Sequence, residues 1–90
     1  MPSLVIKRRA GESFSVGDRR IVVDRIVGDG VFVRDGDGPL ALMYRDESIN
    51  PDEDVSIAVE YIGEVQVRFR ITAPASVVIE RDDMVKGPKA

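Results

Sequence analysis

Lys7, Arg8 and Arg9 close the apolar run Leu4-Val5-Ile6 near one end of the chain, and Arg81 closes Val77-Val78-Ile79-Glu80 near the other. A guanidinium group can hydrogen-bond a phosphate or a guanine edge, and it can stack on a planar ring. Each run is short, β-branched and bounded by glycine, proline or acidic residues, so each reads as a strand that carries arginine at its end. Strands at a sheet edge also offer backbone N–H and C=O groups. Together the two ends suggest a composite basic surface suited to single-stranded RNA, whose phosphates need cations and whose exposed bases need partners.

Other chemistry finds little support. The chain has no histidine and no cysteine, which removes the commonest general base, the usual zinc ligands and any disulfide. Ser13, Ser15, Ser48, Ser56 and Ser76 therefore have no histidine partner for a catalytic triad. Asp46-Glu47 and Asp82-Asp83 are neighbours in sequence, with nothing to place them across a pocket. Asp35-Gly36-Asp37-Gly38 is followed directly by Pro39 and lacks the closing glutamate of a calcium loop, so it reads as a turn. The expectation is a protein that is not an enzyme and holds no metal or cofactor. The N-terminal residues lack a signal-peptide core, and no apolar run reaches the length of a membrane span; the expected location is the cytoplasm, away from membranes.

The net charge of −3 argues at first against a nucleic-acid partner. The distribution reverses that argument. Residues 35–54 hold seven carboxylates and one arginine, Arg45, and leave the remainder of the chain with a net charge of +3. Both arginine-bearing ends lie outside the acidic block, and local field steers a ligand more than total charge does.

Ninety residues make a single domain, 1–90, with a core small enough that oligomerisation is expected to stabilise it. Strand patterns cover residues 3–9, Ser13–Val16, Arg20–Val27, Val31–Arg34, Leu40–Tyr44, Val55–Ile71 with a turn at Gly63, and Val77–Glu80. Asp46–Asp54, with Asn50-Pro51 and five acidic residues, reads as an exposed loop, and Arg81–Lys86 as one helical turn. Residues 20–34 and 55–71 echo one another as strand–turn–strand units, a pattern too common in β proteins to establish duplication alone.

The two ends resemble the carbon storage regulator family, CsrA/RsmA. The family's Leu-x-x-x-Arg-Arg-x-Gly-Glu pattern is matched by Leu4, Arg8, Arg9, Gly11 and Glu12, and its Gly-Asp turn by Gly17-Asp18. Val65-Gln66-Val67-Arg68, Ala73-Pro74, Val77, Ile79, Arg81 and Asp82-Asp83-Met84 match its closing segment. The chain departs from the pattern at Lys7, where a small polar residue is usual, and at Ala75, often lysine. It also carries an extra acidic segment of about 35 residues, whose removal as 29–63 or as 19–52 equally leaves a family-like chain.

The resemblance implies an all-β fold: a small intertwined homodimer of antiparallel sheets, with extra inserted strands within about 19–63 and a stunted C-terminal helix. It implies two symmetry-related sites for GGA-containing RNA loops, each built from the first strand of one subunit and the last strand of the other. The residues so assigned are Leu4, Ile6, Lys7, Arg8 and Arg9 together with Val78, Ile79, Glu80 and Arg81. The implied activity is control of translation initiation or message stability. A second reading keeps the fold but makes the acidic insert a docking surface for a protein partner, with RNA binding lost or altered.

Overall fold

The computed structural model describes residues 3–81, and it is built from antiparallel β-strands alone. The strands are β1 (Ser3–Arg9), β2 (Ser13–Val16), β3 (Arg19–Val27), β4 (Gly30–Asp35), β5 (Leu40–Tyr44), β6 (Ser48–Asp52), β7 (Val55–Ile62), β8 (Gln66–Thr72) and β9 (Ile79–Arg81). Sheet A has the order β1-β8-β7-β6, and sheet B the order β5-β4-β3-β2-β9. Alternation decides which side of each strand turns inward. Val55, Ile57 and Val59 of β7 and Val67, Phe69 and Ile71 of β8 are buried on one face of sheet A. Phe14, Val16, Ile21, Val23, Val31 and Val33 are buried on one face of sheet B. Phe14 and Phe69 meet across the interface with ring centroids 5.2 Å apart and planes tilted by 47°. Each such fully buried side chain contributes about 1.5–3 kcal/mol of transfer free energy.

The two sheets are copies of one unit. Exchanging β1–β4 with β5–β8 converts the order β1-β8-β7-β6 into β5-β4-β3-β2. The strand registers agree residue by residue. Ile21 pairs with Asp35, Val22 with Arg34 and Val23 with Val33; 36 residues on, Ile57 pairs with Ile71, Ala58 with Arg70 and Val59 with Phe69. Both hairpins then bulge at the matching residue, Asp24 and Glu60, before resuming as Arg25 with Phe32 and Tyr61 with Arg68.

The turns repeat as well, at an offset of 35. The Gly11 N–H donates to the Val23 carbonyl at 2.7 Å, and the Asp46 N–H donates to the Val59 carbonyl at 2.7 Å. The Arg9 N–H donates to the Glu12 carboxylate at 2.8 Å, and the Tyr44 N–H to the Glu47 carboxylate at 2.9 Å. Gly11 and Asp46 share the left-handed conformation, with φ of 92° and 73°. Glycine adopts it freely and Asp is one of the few other residues that tolerate it.

The segment read from sequence as an insertion is therefore the middle of a tandem repeat. Residues 29–63 contribute Val31, Val33, Met43, Val55, Ile57 and Val59 to the core. The ambiguity of its borders has a simple cause: removing any window of about one repeat length leaves one unit plus the ends. One expectation is corrected. Asp46–Asp54 is not a loop throughout, because Ser48–Asp52 forms β6 and pairs with β7, Ile49 opposite Ile57. Asn50-Pro51 and the carboxylates speak for a loop locally, but β6 occupies the place that β2 holds in the first unit, and that tertiary pairing prevails. Local preference survives only as the irregular register between Ile49 and Asp52. The helical turn expected at Arg81–Lys86 lies outside the described residues beyond Arg81.

The copies are unequal in one respect. Sheet B has β9 against β2, with Val16 opposite Ile79, Ser15 opposite Glu80 and Phe14 opposite Arg81. Sheet A ends at β6, with no strand beyond it among the described residues. Among those residues no helix is long and apolar enough to cross a membrane.

Candidate nucleic-acid interface

β1 is one edge of sheet A and β9 is one edge of sheet B. The two edges face a common groove of about 830 Å³, lined by Leu4–Lys7 on one side and Ile79–Arg81 on the other. The two stretches singled out from sequence, more than 70 residues apart, thus meet within a single chain. β1 arrives there because it pairs with β8 from Ser3 opposite Thr72 to Arg9 opposite Gln66. β9 arrives because the Gly17 N–H donates to the Val78 carbonyl at 2.8 Å and so starts the β2–β9 ladder. Gly17 has φ of 60° and lies against the Val77 side chain, so the turn and the last strand are fitted together.

The chemistry of the groove is mixed. Edge strands present backbone donors and acceptors that no neighbouring strand uses. Leu4 and Val5 are both exposed and offer apolar surface to a base. Lys7 and Arg81 are exposed cations, and Glu80 is an exposed carboxylate. A phosphate has no use for that carboxylate. A guanine Watson–Crick edge, which presents two N–H donors, does.

Not all the residues assigned from sequence share this groove. Leu4, Ile6, Lys7, Ile79, Glu80 and Arg81 line it. Arg8 does not line it. It is 4% exposed, its Nε donates to the Lys7 carbonyl at 2.7 Å and its Nη1 to the Ser13 carbonyl at 3.2 Å. The Glu12 carboxylate stands 3.5 Å from its Nη2. A buried charge persists only with such partners. At the matching position of the second unit stands Met43, also buried. Arg9 is exposed on the outer face of sheet A, and Val78 lines a separate hollow with Ser76 and Val77 near Arg19 and Asp52.

Val5 was missed in the sequence reading although it lines the groove. So were Arg68, Arg70 and Tyr61 as members of a surface. The alternation of Val67, Phe69 and Ile71 with Arg68 and Arg70 carried that signal, but only the β1–β8 register shows what lies beside it.

None of the acidic block lines the groove. Within sheet A, β6 lies three strands from β1, about 14 Å at the usual strand spacing. On the β9 side the block comes closer, with Asp52 lining a separate hollow beside Val78. Part of the block is also spent internally. Arg19 bonds Asp35 at 3.1 Å, Asp52 at 3.2 Å and the Pro51 carbonyl at 2.9 Å. The hydrogen bond that Arg19 donates to Asp52 and the charge of Asp35 raise the guanidinium above its ordinary value.

No family model, curated protein or solved structure matches this chain.

Proposed function

We propose that the chain binds single-stranded, GGA-containing RNA in the groove between β1 and β9, and through it modulates translation initiation or message stability. The observation that carries this reading is the meeting of Leu4–Lys7 with Ile79–Arg81 across one groove. These are the strands through which the carbon storage regulators, which the chain ends resemble, are expected to bind RNA. In that family the site is shared between two subunits. In this proposal the second repeat unit takes the partner's place, since β1 pairs with β8 and β9 with β2 of the same chain. The homodimer expected from the resemblance gives way to a pseudo-dimer with one complete groove. Lys7 and Arg81 supply cations, Leu4 and Val5 apolar surface, and Glu80 an acceptor for guanine.

The alternative, an acidic appendage that docks a protein partner, fits less well. The segment supplies Val31, Val33, Met43, Val55, Ile57 and Val59 to the core, and Asp35 and Asp52 are already engaged by Arg19.

The test is gel-shift titration of a GGA stem-loop and of a loop with GGA changed to CCA, at two salt concentrations. Binding is expected to favour GGA and to weaken as salt rises. Equal affinity for both loops would rule out base-specific reading in the groove.

A further inference from the structure

The repeat supplies an internal comparison of surfaces. Cross-strand partners share a face, so the outer face of sheet A carries Val5 beside Arg70, Lys7 beside Arg68 and Arg9 beside Gln66. Lys7, Arg9, Arg68 and Arg70 are all exposed. The Arg68 guanidinium lies 5.6 Å from the centroid of the exposed Tyr61 ring. Glu60 pairs with Arg70, and Glu64 sits at the β7–β8 turn. On the outer face of sheet B the same backbone positions carry different residues. Leu42 stands for Lys7, Tyr44 for Arg9, Phe32 for Arg68 and Arg34 for Arg70, with Leu42 opposite Phe32 in the ladder. Even the cation–π pair recurs with its members exchanged, Arg25 lying 4.6 Å from the Phe32 centroid.

The backbone therefore does not require cations at these positions, and it accepts leucine, tyrosine and phenylalanine there. Like charges directly opposite one another in a ladder are destabilising. Sheet A nevertheless places Lys7 opposite Arg68 and flanks them with Arg9 and Arg70. Val5 and Lys7 belong both to this face and to the β1/β9 groove, so the two surfaces are continuous.

We infer that the outer face of sheet A is a phosphate-binding track, along which RNA leaving the groove lays its backbone on Arg9 and Arg68 while Tyr61 offers a ring to a base. This rests on the proposed RNA binding in the groove and extends it to a longer, one-sided footprint. Sheet B has no counterpart, because its matching face is mostly apolar.

The repeat also designs the test. Arg9→Tyr and Arg68→Phe introduce the residues that the other sheet carries at those positions, so the double variant is expected to fold; circular dichroism and the melting temperature check this. Two RNAs are titrated: a short one that contains little beyond GGA, and one extended by about ten nucleotides of flanking single strand. For the double variant, affinity for the extended RNA is expected to fall about tenfold, and its log–log salt slope to become shallower by about 1.4, the value for two lost phosphate contacts on a single strand. Affinity for the short RNA is expected to stay within about twofold. Failure of the wild-type protein to bind the short GGA RNA would overturn the proposed function. Wild-type binding with no change of salt slope in the variant, or an equal loss for both RNAs, would overturn the track alone.

Discussion

Lys7 stands directly opposite Arg68 in the β1–β8 ladder, on the solvent face of sheet A. Such a pair does not help the sheet to form, so its removal separates binding from stability. Lys7→Ala is expected to leave the free energy of unfolding within about 0.5 kcal/mol or slightly raise it. The same change should weaken RNA binding and make the salt slope shallower by about 0.7. Chemical denaturation and titration at several salt concentrations measure the two effects; a large loss of stability with unchanged binding contradicts the assignment.

Arg81 and Lys7 line opposite walls of the groove, and both are exposed. Arg81→Ala is expected to cost about 1–3 kcal/mol of RNA affinity if the guanidinium makes a charge-assisted, base-directed bond. Glu80→Gln should instead reduce the preference for GGA over CCA, since an amide replaces the acceptor that guanine donors seek. Unchanged discrimination in Glu80→Gln removes the guanine role from that carboxylate.

Arg8 is buried where the second unit has Met43. Arg8→Met is expected to be neutral or stabilising, because replacing a buried ionic group with a well-packed apolar one often is. RNA affinity should stay within about twofold, since Arg8 is buried and does not line the groove. A loss of tenfold or more would show that Arg8 reaches RNA after all.

Gly11 and Asp46 test the repeat at the level of the turns. Nothing lies within 4 Å of a Cβ built on Gly11, so conformation alone opposes a side chain there. Gly11→Ala is expected to destabilise by about 1 kcal/mol. Gly11→Asp should cost less, because Asp46 adopts the same conformation in the same hydrogen-bonded turn. The reverse order in urea denaturation would show that the two turns are not equivalent.

One chain holds one complete groove, so the species in solution is expected to be a monomer of 9.9 kDa that binds one RNA. Light scattering and calorimetric stoichiometry decide this. A dimer binding two RNAs would restore the arrangement of two separate subunits. Excision of residues 29–63 offers the complementary experiment: it removes one repeat length, and the shortened chain is expected to fold only by pairing with a second copy.

Much of the strand pattern was legible from β-branched alternation alone. β2, β7 and β8 lie where period-2 patterns run, and β1 and β5 where short apolar runs end before a turn. β6 was not legible, because Ile49 is its one strong apolar residue and Pro51 argues against a strand. The repeat was barely visible. Glu12 recurs as Glu47, Val23 as Val59 and Arg34 as Arg70, but Lys7 recurs as Leu42 and Arg68 as Phe32. What the units share is register and turn geometry, which many different residues satisfy.

The sequence by itself determined the all-β class, the two arginine-bearing ends and the separation of acidic from basic charge, because alternation and composition are local properties. Only the tertiary structure decided that both ends meet in one chain, that Arg8 turns inward while Lys7 and Arg9 face solvent, and that sheet A is the cationic copy. These depend on which strand lies beside which. A one-residue change of register would reverse every side chain, and that choice is made by the cores of both sheets packing together, not by any single strand.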